Sequence, residues 1–299
     1  MSKLDKSTLN TPFSPNPFNS HLTDSLRGIP IYLFRVSDPL SPGTTNQTEV
    51  CSAAAQNSPE QPHDLYQMLP EQAARLLETH LRWECSTSSL SPCNLVSWTS
   101  SLLVALQYGF YCHGRNWGSQ QLSEIKILMV DTRQFACNMF ARDLQVLAAF
   151  RGNSQQLQTL YEWRNSGLFY PGEYFSQGRL VIDPERSCQV SMQELMDCGL
   201  FNVCPGLSDE THWSRWAKRV NELRREMECQ LPPIKARNIQ AVIDVTKAFK
   251  HFELPSAFIL LGIIPYDLSD GVSTILEVFL KNYSGKPQPK SNLQRKRGP

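Results

Sequence analysis

The feature that most constrains this chain is the segregation of its hydrophobic patterns. Short β-type runs, IYLFRV at 31–36, NLVSWT at 94–99 and IKILMVD at 125–131, fall in the first two thirds, and a further strand is predicted over 173–182. Pro70 opens a helical pattern, PEQAARLLETHLRW, and one of the hydroxyl residues at 97–101 is placed to cap a helix running through LLVALQYGFYC. Helical stretches are predicted near 141–150 and 155–165. Beyond residue 190 the pattern becomes helical, near 191–199, 209–229 and 235–252. SAFILLGIIP reads equally as strand or buried helix. Strands first and helices afterward predict an α+β core with a helical C-terminal extension. The expected organisation is a disordered lead-in over 1–27, a core over 28–205, helices packed on it over 206–283, and a disordered basic tail over 284–299.

Charge excludes some partners. Lys and Arg number 29 against 28 Asp and Glu, so the balance carries no nucleic-acid signal. No apolar run approaches the ~20 residues of a membrane-spanning helix, and the polar, proline-broken N-terminus lacks a secretory signal. The expected location is intracellular and cytoplasmic, with the basic tail SGKPQPKSNLQRKRGP leaving a nuclear one open. The sequons at Asn46 and Asn282 are then unused. Nine cysteines are scattered singly without a C-x-x-C pair, so the sequence predicts reduced thiols and no metal site.

Three places carry polar chemistry in apolar surroundings. In a strand at 31–36, alternation puts Arg35 on the face of Ile31 and Leu33. A guanidinium there needs a partner, either a carboxylate such as Asp38 or a bound anion. Ser97-Trp98-Thr99-Ser100-Ser101 sets Ser97 and Thr99 on one face of a strand where it enters a helix. Capping explains one hydroxyl, while the remainder could hold a ribose or an amide. In Tyr170-Pro171-Gly172-Glu173-Tyr174-Phe175-Ser176-Gln177-Gly178 a carboxylate stands where a tight turn enters a strand. Glu173 is there either an exposed turn residue or a perturbed functional one.

In their order and character these blocks resemble the Arg-Ser-Glu class of ADP-ribosyltransferases, to which the cholera and heat-labile enterotoxin A-subunits belong. Leu33-Phe34-Arg35-Val36-Ser37-Asp38 looks like the first-strand motif of that class, and Val96-Ser97-Trp98-Thr99-Ser100-Ser101-Leu102 with Ala105 looks like its Ser-Thr-Ser motif and following helix. Glu173, with Ser176 and Gly178, looks like its catalytic-glutamate strand. The chain is also similar to a family of fungal proteins sharing the YLFRV, LVSWTSS and PGEYFSQG blocks.

The resemblance, covering roughly residues 30–182, implies a split-sheet core enclosing a cleft and NAD as substrate. It implies that Glu173 stabilises the ribosyl cation, Arg35 holds a phosphate or ribose, Ser97 supports the nicotinamide ribose and Thr99 orders the strand. Arginine-modifying members carry Glu or Gln two positions before the catalytic Glu, where this chain has Pro171. That departure points to NAD glycohydrolysis, or to transfer onto a protein or small-molecule acceptor other than arginine.

Two other readings compete. One is a catalytically inactive ADP-ribosyltransferase-like module that binds a nucleotide or a protein, which Pro171 favours. The other makes the helices of 209–252 a protein-interaction surface, although Trp213, Trp216, Val220 and Leu223 recur at the spacing of a core-packing face. His63, His80, His113, His212 and His251 lie singly, away from any Ser or Cys nucleophile motif. Neither a G-x-G-x-x-G nor a Walker sequence is present, which disfavours dinucleotide-fold dehydrogenases and P-loop enzymes.

Overall fold

The computed structural model describes residues 10–15, 17–57, 64–85, 93–115, 120–167, 171–228, 231–269 and 271–283. Among the described residues nine strands form two antiparallel sheets: β1 (Tyr32–Ser37), β2 (Thr44–Thr45), β3 (Glu49–Cys51), β4 (Leu95–Thr99), β5 (Lys126–Asp131), β6 (Ala141–Arg142), β7 (Glu173–Gln177), β8 (Arg179–Val181) and β9 (Ser187–Ser191). The larger sheet has the order β6-β7-β4-β1-β5-β9, the smaller β2-β3-β8. The helices are α1 (Ala53–Asn57), α2 (Pro70–Leu81), α3 (Leu102–Gly114), α4 (Asp143–Phe150), α5 (Gln155–Asn165), α6 (Met192–Asp197), α7 (Leu200–Val203), α8 (Trp216–Glu228), α9 (Ala236–Thr246), α10 (Glu253–Leu261) and α11 (Val272–Tyr283).

The two faces of the large sheet follow from register. Phe34 stands opposite both Thr99 and Met129, and Met129 opposite Cys188, so these side chains share one face. On that face Phe34, Ile127, Met129 and Val190 pack in one core with α3 and with Val220, Ile239, Phe249 and Phe279 of the C-terminal helices. The expected helical extension therefore shares the core of the sheet it covers. The opposite face presents Leu33, Val96, Trp98, Leu128 and Val130, which pack against Val50 and Leu180 of the small sheet.

Between β1 and β4 the large sheet opens. β1 pairs with β5 from Tyr32↔Asp131 through Ser37↔Lys126, whereas its register on β4 is Phe34↔Thr99 alone. The α+β class agrees with the sequence reading.

Several elements differ from it. The strand expected over 173–182 breaks at Gly178 and distributes its halves between the two sheets. Gly178 has φ 58°, and a Cβ there would fall 2.3 Å from Thr11 Oγ1. Residues 10–15 and 17–26, expected within a disordered lead-in, lie against the core. Phe13 is fully buried with its ring centroid 5.0 Å from that of Tyr66, Leu22 is buried, and Pro17–Leu26 forms a 3-10 segment. Sparse apolar residues in a Ser, Asn and Pro background mask such a strap. Residues 1–9 and the basic tail of 284–299 lie outside the described residues. Residues 256–261 of SAFILLGIIP resolve as helix, with Ala257, Leu260 and Leu261 of α10 buried, and the helix ends before Gly262.

Candidate functional site

Arg35, Ser97 with Thr99, and Glu173 come to lie on three neighbouring strands, β1, β4 and β7. Their side chains take separate directions. Arg35 leaves β1 on the face of Leu33 and its guanidinium enters the opening between β1 and β4. Nε donates to Thr45 Oγ1 of the small sheet at 2.8 Å, and Nη1 donates to the Ser97 carbonyl at 3.1 Å. The Ser97 carbonyl thus gains a charged donor. Burial lowers the Arg35 pKa to about 10, which still leaves it cationic at neutral pH. Asp38, the carboxylate suggested as its partner, pairs instead with Arg115 and accepts from Ser41 Oγ at 2.7 Å.

Ser97 and Thr99 point to the other face, as alternation requires. Thr99 is buried, and its hydroxyl donates to the Pro171 carbonyl at 2.6 Å and accepts from the Ser101 amide at 3.1 Å. That geometry ties the end of β4 to the turn before β7. Ser101 caps α3 by accepting from the Val104 amide at 3.4 Å.

Glu173 stands directly across from Thr99 on the same face as Ser97. Gly172 before it has φ 63°, and its carbonyl accepts from the Ser100 amide at 2.9 Å. The Glu173 carboxylate meets Arg164 of α5, with Nη1 2.6 Å from Oε2. The same nitrogen lies 2.7 Å from Asp143 Oδ2 at the start of α4. Arg164, Asp143 and Glu173 are 12%, 0% and 13% exposed at their side chains, so two carboxylates share one nearly dry guanidinium. Burial pushes the Asp143 carboxyl up to about 6, Arg164 opposes that shift, and the Glu173 charge adds to it. Asp143 and Arg164 carried no motif, so the sequence reading passed over both. Their signal was a polar pair flanking two helices that pack on β7.

A second cluster was missed for a different reason. His80 was read as isolated, yet its Nε2 lies 2.7 Å from Ser97 Oγ and its Nδ1 lies 3.1 Å from Cys93 Sγ and 4.0 Å from Cys85 Sγ. The expectation that no metal ligand set is present rested on C-x-x-C spacing. The fold gathers His80, Cys85 and Cys93 with their ligand atoms within 4.8 Å of one another. Trp83 makes the reversal at the end of α2. It adopts φ 58°, a left-handed position where glycine is usual, and the Glu84 amide bonds back to the Thr79 carbonyl at 3.0 Å. The Trp83 ring is held against Tyr108, Tyr111 and Trp216, with centroids 5.8, 5.8 and 5.9 Å away. A spacing of His80, Cys85 and Cys93 around a helix end and a strand start was the available clue.

A surface cavity of about 640 Å³ lies elsewhere, lined by Asn10, Arg133, Phe135, Ile182, Asp183 and Arg186. It does not include Arg35, Ser97 or Glu173, and Arg133 there is already bound to Asp131 through both carboxylate oxygens.

Residues 28–180, just over half of the chain, match the family described as a domain of unknown function, DUF7587. The chain belongs to that family, whose matched region spans β1 through β8 and contains all three motif blocks. No curated protein and no solved structure matches it.

Proposed function

We propose that this member of the DUF7587 family is an ADP-ribosyltransferase-like domain that cleaves NAD, acting as a glycohydrolase or transferring ADP-ribose to an acceptor other than arginine. The observation that carries the reading is the order Glu173, Ser97, Arg35 on the adjacent strands β7, β4 and β1, with the Arg35 guanidinium in the opening between β1 and β4. Breaking the nicotinamide–ribose bond develops positive charge on the sugar, and a fixed carboxylate beside it lowers the barrier. Glu173 is the group for that role, and Ser97 shares its face. Arg35 supplies a permanent cation suited to a phosphate or a ribose oxygen. Pro171 has neither a side-chain acceptor nor an N–H with which to engage an incoming guanidinium, so water or another side chain is the acceptor.

One observation favours a second reading. The Glu173 carboxylate is engaged by Arg164, and a carboxylate already neutralised stabilises a cation less well. On that reading the domain is inactive and serves as a nucleotide- or protein-binding module. Nicotinamide release from labelled NAD decides between them. The enzyme reading expects turnover by the wild type and a loss of several orders of magnitude in kcat for Glu173→Gln, with little change in KM. Modification of a simple guanidine compound would overturn the argument from Pro171. Absence of release, with NAD still bound, supports the inactive module.

A further inference from the structure

We propose that His80, Cys85 and Cys93 form a binding site for a divalent zinc ion, held by three protein ligands with a fourth position open to solvent. Its three ligands take no part in the NAD reading, although the Ser97 hydroxyl that orients His80 is shared with it.

The distances suit the ion. Tetrahedral zinc with Zn–S of about 2.3 Å and Zn–N of about 2.0–2.1 Å requires its sulfur and nitrogen ligands to stand about 3.6 Å apart. His80 Nδ1 lies 3.1 Å from Cys93 Sγ and 4.0 Å from Cys85 Sγ, values that bracket this separation. Small side-chain rotations would make both distances equal.

The surroundings fit ligands rather than packed thiols. His80 Nε2 lies 2.7 Å from Ser97 Oγ, so when this nitrogen carries the proton and donates to Ser97, Nδ1 presents its lone pair to the two sulfurs. A ligating histidine ordinarily has its second nitrogen held in this way. The Leu95 amide donates to Cys93 Sγ at 3.4 Å, a contact that favours the thiolate. Cys93 is buried whereas His80 and Cys85 are half-buried, which gives an ion a way in. The thiolate and imidazole donors select zinc over magnesium or calcium. The left-handed Trp83 fits the same account. A non-glycine residue is disfavoured in that region, and here it returns Cys85 to the helix end that carries His80.

Cobalt(II) titration of the reduced full-length chain tests the site, followed by zinc competition. The expected result is one ion per chain, with a thiolate-to-cobalt charge-transfer band and the visible bands of a tetrahedral ion, displaced by zinc. Cys85→Ser, at a half-buried position, and Cys93→Ser should each remove the charge-transfer intensity contributed by their sulfur and weaken binding at least 100-fold. Ser97→Ala should leave the bands in place and weaken affinity by about 10–100-fold, as loss of an orienting partner does. Absence of bands in the reduced wild type, or bands unchanged in folded Cys85→Ser, overturns the proposal. A Cys85–Cys93 disulfide in air, with no cobalt bound by the reduced chain, overturns it as well and makes the pair a redox couple.

Discussion

Arg164 and Glu173 form an ion pair of 2.6 Å between α5 and the first residue of β7, and Asp143 meets the same Arg164 nitrogen at 2.7 Å. The arrangement leaves one guanidinium between two carboxylates in a nearly dry site. Removing one partner of a buried pair typically costs about 3–5 kcal/mol, because the remaining charge keeps its desolvation penalty. Arg164→Ala should therefore lower stability by about that amount in denaturant titrations. Arg164→Ala with Asp143→Asn should recover part of the loss, since one carboxylate is then removed. Equal stability of Arg164→Ala and wild type would show that the three groups are not coupled.

The same cluster fixes a pH dependence. Asp143 titrates at about 6 in the folded chain, against about 3.9 for an unfolded aspartate. Its folded pKa is raised, so the folded state holds the extra proton between these values. The contribution is fully present below about pH 3.9 and is lost as pH rises through about 6. Asp143→Asn removes this dependence. Its stability relative to wild type should rise with pH across that window, by up to about 1.4 kcal/mol per unit. Urea melts of both proteins between pH 4 and 7 measure the difference, and parallel curves would exclude Asp143 as the titrating group.

What could be read in the sequence was what local pattern encodes. β1, β4 and β5 announce themselves as apolar runs, and Pro70 marks the first residue of α2. Gln155–Asn165 falls on the helix predicted for it. The short strands β2, β3 and β6 of two or three residues are set by tertiary pairing and have no periodicity to detect, while β8 is the end of the predicted 173–182 run, set off by the turn at Gly178. The strap at Phe13 depends on a pocket made by distant residues. In the site, Arg35, Ser97 and Glu173 stood out because each is polar in an apolar or turn context. Arg164, Asp143 and His80 did not, because their partners Glu173, Arg164 and Ser97 lie 9, 21 and 17 positions away and only the packed fold brings them together. Even among the three that stood out, side-chain direction was hidden. Alternation fixes the face within a strand, and the register Phe34↔Thr99 is what turns Arg35 away from Ser97 Oγ.

Gly172 links the turn to the carboxylate it presents. At φ 63° an alanine is strained, and its Cβ would sit 2.6 Å from Ser100 Oγ. Gly172→Ala should cost at least about 1–2 kcal/mol from the backbone alone. It should also shift Glu173 relative to Thr99, so nicotinamide release should fall more steeply than stability. Ser100→Ala in the same chain should relieve the side-chain clash while leaving the backbone strain. Thermal melts and turnover of the single and double variants separate the two contributions.

Arg35 joins the fold to the proposed chemistry, and its two contributions can be separated. Arg35→Ala deprives the Ser97 carbonyl and the Thr45 hydroxyl of their donor, at a cost of about 1–3 kcal/mol for each polar group left unsatisfied. Stability alone therefore says nothing about NAD. Arg35→Lys keeps the positive charge but not the fork of donors that reaches two directions at once. If Arg35 also holds the cofactor, wild type should bind NAD in calorimetry, Arg35→Lys should bind it more weakly, and Arg35→Ala should lose about 1.5–3 kcal/mol of binding, roughly 10–150-fold in affinity. The comparison is made on variants whose folded fraction is confirmed by their melts. Saturable binding of equal affinity in all three would confine Arg35 to bridging β1, β2 and β4. No binding by the wild type at millimolar NAD would remove every reading in which this domain handles that nucleotide.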